Sequence, residues 1–197
     1  MSHLRAYFYC MNQRGMLFLE SEKRRNMATA LKDKPFLDFF YRMLRPNPRF
    51  KLSTTPLNAL ETDGSNFALV SPCGREINYV RPPDDHSVLG FTDLIKSNPN
   101  CELSVTAGQF SDDSVTNAEL FLSYGSGTPK EPFSPNAVVF KPDSGRLYHR
   151  LSKHRHLGGQ LGLLHPSLAE SLATKIIFKG DTPFLRWADT EIPLSEG

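Results

Sequence analysis

The chain has 197 residues, 23 lysines and arginines against 21 aspartates and glutamates, and a hydrophobic fraction of 39%. A chain of this length forms one domain or two small ones and buries about 70% of its unfolded surface without staples. The net charge of +2 gives no bulk support to nucleic-acid binding, no apolar run of about 18 residues exists to span a membrane, and residues 1–9 lack the apolar stretch of a secretory signal. Cys10, Cys73 and Cys101 are odd in number and far apart, with no Cys-x-x-Cys pair, which argues against a disulfide framework and points to a reducing compartment.

In chain order, Tyr7–Cys10 and Met16–Leu19 are β-prone runs separated by a segment ending in Gly15, which predicts a hairpin. Ser21–Leu31 carries Met27, Ala30 and Leu31 at helical spacing and predicts a short helix. A stronger helix follows, because Pro35 suits a first turn and Phe36, Phe39, Phe40, Met43 and Leu44 share one face; Asn47-Pro48 stops it near Arg45. Residues 53–65 read as a loop. Phe67–Ser71 and Arg75–Arg81 flank Pro72-Cys73-Gly74 as a second hairpin, which Pro82-Pro83 ends. Phe91–Ile95 and Leu103–Ala107 add short elements. Residues 111–132, rich in Ser, Asp, Gly and Thr, read as a surface excursion in which Ala118–Tyr124 forms a peripheral strand. Ala137–Phe140 and Arg146–His149 flank a Pro-Asp-Ser-Gly turn as a third hairpin. A last helix starts near Pro166, with Leu168, Leu172 and Ile176 four residues apart and Gly180 as its stop, and a strand pair carrying Trp187 closes the chain. The sum is a single α+β domain over residues 1–197, its mostly antiparallel sheets built from hairpins with two main helices packed on them.

Tyr7-Phe8-Tyr9, Gly15-x-Leu17-Phe18-Leu19, Phe36-Leu37 with Phe39-Phe40, Leu44-Arg45-Pro46-Asn47, Ser71-Pro72-Cys73-Gly74-Arg75-Glu76 and Gly145-Arg146-Leu147-Tyr148-His149 occur in one order. In these strings the chain resembles the uncharacterised protein family 0598, the eukaryotic domain of unknown function 4505, from about Tyr7 to Trp187. The order of hairpin, Leu/Phe-rich helix, strand, turn and strand is also similar, more faintly, to the bacterial domain of unknown function 1285. Neither resemblance implies an activity. Animal members of the first family often carry a mitochondrial-type presequence, which implies a mitochondrial location; this chain begins almost at the Tyr-Phe-Tyr string with no presequence, and a cytoplasmic location is the other expectation.

Ser71–Glu76 is the densest chemical string. Cys73 beside Arg75 reads either as a nucleophile with a cationic neighbour or as a small residue packed at a turn. Arg75, with Arg81 on the same strand face, suits an anion, while Glu76 points to the other face unless a bulge re-aims it. Residues 146–156 hold four cations and His149, His154 and His156 without an acid, which reads as a phosphate or RNA surface with Tyr148 for stacking, or as a solvated strand end. His154 and His156 on one strand face fall short of a metal site, and Gly158-Gly159-x-x-Gly162 reads as an anion cradle or a flexible connection.

The leading functional expectation is a non-catalytic binding or adaptor domain that meets a partner protein or small anionic ligand through Arg75, Glu76, Arg81, Tyr148 and His149. One alternative is an enzyme using Cys73 or His149 with Arg75 in a small pocket. The other is an RNA-associated module built on residues 146–156. No metal or cofactor is called for, and no residue pattern identifies the partner.

Overall fold

The computed structural model describes residues 5–50, 64–98, 101–104 and 119–194. Strand β1 (Arg5–Met11) turns into β2 (Leu17–Leu19), as the hairpin pattern predicts. Asn12 Oδ1 shapes the turn by accepting from the Arg14 and Met16 amides at 3.0 and 2.9 Å. No helix forms at 21–31. There Asn26 Oδ1 accepts from the Ala28 and Thr29 amides, and the Thr29 hydroxyl donates to the Arg24 carbonyl, so local side-chain bonds compete with helical ones. Met27 is 66% exposed, leaving no apolar stripe to stabilise a helix. Helix α1 (Lys34–Met43) begins where Asp33 caps the Phe36 amide at 2.7 Å, and buries Leu37, Phe40 and Tyr41. β3 (Arg45–Pro46), β4 (Leu69–Cys73) and β5 (Glu76–Arg81) complete the first sheet, whose order is β2-β1-β5-β4-β3. The β4–β5 turn is the two residues Gly74-Arg75, with Gly74 at φ +59°. β1 and β5 pair in parallel, a long-range contact that no local pattern signals.

The second sheet is organised by β6 (Leu89–Asn98). It pairs with β7 (Cys101–Ser104), β8 (Glu119–Tyr124) and, in parallel, β12 (Leu161–Leu163). β9 (Lys130–Pro132) extends one side, and β10 (Val138–Lys141) with β11 (Arg146–Arg150) extends the other as the predicted hairpin. Residues 119–132 are therefore a sheet hairpin rather than a surface excursion, and β8 lies between β6 and β9 rather than at the periphery. Its Leu122 is fully buried. The expected loop at 53–63, the 105–107 end of the expected Leu103–Ala107 element and residues 111–118 lie outside the described residues.

Gly162 is a strand residue, not part of an anion cradle: a Cβ there would lie 2.4 Å from the Phe91 ring. Helix α2 (Pro166–Ala173) ends earlier than its periodicity suggests. The β-branched and aromatic run that follows becomes β13 (Ile176–Lys179), and Gly180, at φ +62°, turns the chain into β14 (Thr182–Trp187). With β15 (Thr190–Pro193) these form a three-stranded sheet rather than a strand pair. The two α-helices among the described residues are too short to cross a membrane.

The two large sheets meet at a backbone contact and at α1. A Cβ on Gly15 would sit 2.4 Å from the Gly90 carbonyl oxygen, and one on Gly90 would sit 2.7 Å from Gly15 backbone atoms. Met11 Sδ accepts the Gly90 amide at 3.3 Å, and the Tyr41 hydroxyl donates to the Gly15 carbonyl at 3.0 Å. One contiguous apolar cluster runs from Tyr9 and Phe40 through Phe91 and Leu122 to Leu172 and Leu185. Gly90→Ala is expected to lose about 1–3 kcal/mol, because only backbone can yield to the new methyl. Urea unfolding followed by Trp187 fluorescence checks this, with Gly158→Ala, which meets only the His154 carbonyl at 3.6 Å, as the near-neutral control.

Candidate functional site

The residues expected to share one surface are separated. Arg75 is exposed at the β4–β5 turn, and Glu76 faces Arg5 across 4.0 Å in an exposed pair. Arg81 lies at the far end of β5, where its Nε donates to Glu20 at 2.9 Å and its guanidinium covers the Phe67 ring at 4.4 Å. Tyr148 and His149 are neighbours on β11 and face opposite sides of the sheet. The Tyr148 ring packs with Val139 and Leu163, and its hydroxyl donates to Asp84 at 2.9 Å. His149, only 1% exposed, stacks on Phe133 at 5.5 Å and meets Phe91 edge-on. Cys73 is half-buried opposite Glu76, and no described side chain hydrogen-bonds its thiol. Cys10 is buried, and burial pushes its thiol up to about 11. His154 and His156 sit in a loop, not on a shared strand face. Among the described residues no three His, Cys, Asp or Glu side chains converge as a metal site.

The polar groups around Tyr148 pin loops. The Asp84 carboxylate accepts from the Ser87 hydroxyl at 2.7 Å, the Ser87 and His86 amides, Tyr148 and, at 3.2 Å, Arg146. Burial raises its pKa, but these donors together outweigh burial and hold it below the usual range. His86 Nε2 meets Asp143 at 2.8 Å, so the 82–88 loop is fastened to the β10–β11 hairpin at two points.

A different set of residues converges. Between α1, the β8–β9 turn and the loop after β11 lies a pocket of about 350 Å³ whose lining includes Arg42, Lys130, Lys153, Arg155 and one carboxylate, Asp38. Arg42, Lys153 and Arg155 are exposed, and among the described residues none has an ion-pair partner. Asp38 accepts the Ser126 hydroxyl, which ties the turn to the helix. The Glu131 carboxylate, fully buried, accepts the Ser152 amide at 2.6 Å, the Ser152 hydroxyl and the Lys153 amide at 3.2 Å. His154 Nδ1 accepts the His156 amide, so Nε2 carries the proton and donates to the Tyr41 carbonyl at 2.7 Å. Burial holds His154 below the ordinary histidine range, against that hydrogen bond, and so keeps it neutral near pH 7. Ser152 and His154, on either side of Lys153, are thus anchored to the core. The basic stretch at 146–156 marks two of these cations; Arg42 and Lys130 come from distant elements and carry no signal in one sequence.

The family described as Domain of unknown function (DUF4505) matches residues 1–196. The chain belongs to this family. Among solved structures, the DUF4505 chain is similar to a DUF1285 family protein from Silicibacter pomeroyi DSS-3, at a TM-score of 0.48 and 11% identity over 96% of this chain and 80% of that one.

His149 makes the DUF4505 fold sensitive to acid. Burial pulls it down to about 4, against the influence of Glu131 and backbone hydrogen bonds. Its Nε2 accepts the Ser134 amide at 3.0 Å, which leaves the proton on Nδ1, buried without a well-formed partner. The unfolded chain takes up a proton near pH 6.5 and the folded one only near 4, so stability present above pH 6.5 is lost as pH falls across that window, by about 3 kcal/mol for this group. His149→Phe is expected to cost about 1–3 kcal/mol at pH 7, from the orphaned Ser134 amide, and to flatten the pH dependence between 4 and 6.5. Unfolding curves across that range measure both effects.

Proposed function

We propose that this DUF4505 chain is a non-catalytic binding domain for a small anionic ligand, held in the pocket of Arg42, Lys153 and Arg155. The observation that carries this reading is the convergence of three cations without ion-pair partners among the described residues on a cavity of small-molecule size, in a chain whose net charge is only +2. Arginine forks suit phosphate and carboxylate groups, and a preformed lining lowers the ordering cost of capture. The proposal keeps the anionic ligand expected from the sequence but seats it away from Arg75 and Arg81. It treats residues 1–197 as one domain and places the function in mitochondria, as the family resemblance implies.

An RNA surface draws less support. Sequence-tolerant RNA binding depends on exposed rings for bases to stack on, whereas the aromatic groups here, Tyr124 and His154, are 6% and 7% exposed. Pyrophosphate is the first probe. At about 100 times its dissociation constant it should stabilise the chain by roughly 2.7 kcal/mol, a melting-temperature rise of several degrees. The Arg42→Ala/Arg155→Ala variant is expected to abolish that rise while melting normally alone, and Arg75→Ala to leave it intact. An unchanged response in the double variant, or its loss in Arg75→Ala, overturns the assignment.

A further inference from the structure

A second cavity has the opposite character. About 360 Å³ opens between α2 and the β10–β11–β12 part of the second sheet. Its apolar lining comes from Phe140, Leu147 and Leu163 on the strands and from Ala169 and Ala173 on the helix. Leu168 and Leu172 of the same helix are buried in the main core, whereas the alanines, one turn apart, leave their side of the cleft unfilled. Protein interiors leave few voids larger than a water, so a cleft of this volume is a feature of the surface rather than a packing fault.

Leu164, Pro166 and Ile176 add to the apolar lining, and its charged or polar side chains include both signs: Arg146 and Glu170, with the Gln13 amide. Arg146 uses Nη1 to hold Asp84 at 3.2 Å, leaving the other guanidinium nitrogen–hydrogens of its fork for a ligand. Glu170 is exposed and has no ion-pair partner among the described residues. A simple fatty acid would meet an opposing carboxylate here, and a simple amine an opposing guanidinium. A ligand bearing one of each charge on an apolar body matches the whole lining.

We infer that this cleft binds a free apolar α-amino acid, its side chain between Ala169 and Leu147, its carboxylate toward Arg146 and its ammonium toward Glu170. The inference is independent of the anion pocket, which shares no residue with the cleft.

Isothermal titration of the full chain with L-leucine and L-phenylalanine tests it, alongside N-acetyl-L-phenylalanine, L-phenylalaninamide and octanoate. One of the two amino acids is expected to bind, and each of the other three, lacking a charge, to bind at least 10-fold more weakly, about 1.4 kcal/mol. Ala169→Phe, which fills the cleft, should abolish binding. Glu170→Gln, on the exposed face of α2, should narrow the gap between phenylalanine and its N-acetyl form, and keeps the test decisive should the larger substitution unfold the chain. No binding of either amino acid at about 10 mM overturns the inference, as does equal binding of any singly charged compound or an Ala169→Phe variant that folds and binds as before. Arg42→Ala/Arg155→Ala is expected to bind the amino acid normally, so failure of this site and failure of the anion pocket are told apart.

Discussion

The carbonyl end of α1 is the joint on which both large sheets depend. The last four carbonyls of any helix lack intrahelical partners, and burying them unsatisfied costs about 1–3 kcal/mol each. Here the Ser71 hydroxyl from β4 donates to the Phe40 carbonyl at 2.8 Å, while Leu44 and His154 donate to the Tyr41 carbonyl. The donors come from the first sheet and from the loop of the second, so the helix can be buried only when both are docked. The Tyr41 hydroxyl adds a third tie, to the Gly15 carbonyl, beside the Gly15–Gly90 approach that only glycines permit. Burial keeps that phenol protonated, as the bond requires.

The same joint explains how much of the fold was legible. Hairpins β1–β2, β4–β5 and β10–β11 are encoded within a dozen residues by Asn, Gly and Pro at their turns, and α1 by Asp33, Pro35 and its apolar face. The parallel pairings β1–β5 and β6–β12 join segments far apart in the chain, and nothing local prescribes them. The composition places β8 at the periphery because polar residues dominate before it, whereas Leu122, Ser123 and Tyr124 are buried in succession as in an interior strand. The periodicity overextends α2 because Ile176 continues its four-residue spacing, whereas the three-stranded sheet uses that residue.

The candidate site was legible only in fragments, for a related reason. Sequence reading rewards polar residues that are neighbours, yet adjacent strand residues diverge: Tyr148 goes to the Asp84 network and His149 into the core between Phe133 and Phe91. Arg81 is consumed internally by Glu20, and Arg146 spends one nitrogen on Asp84. The cations around the pocket that have no ion-pair partner among the described residues come from α1 and the 151–155 loop, and no spacing rule links Arg42 to Lys153.

That loop gains its shape from groups that never face the ligand. Glu131 holds the Ser152 and Lys153 amides from beneath, and His154 is fastened to Tyr41, so the backbone on either side of Lys153 is fixed before any anion arrives. A carboxylate is well suited to this task, since charge-assisted bonds to backbone amides are stronger than neutral ones. Its cost is a buried negative charge, which the Ser152 and Lys153 amides and the Ser152 hydroxyl offset by hydrogen bonding. The Arg42→Ala/Arg155→Ala variant leaves this scaffold in place, because Glu131 keeps its backbone amides, so the ligand response it removes reports on the two arginines directly.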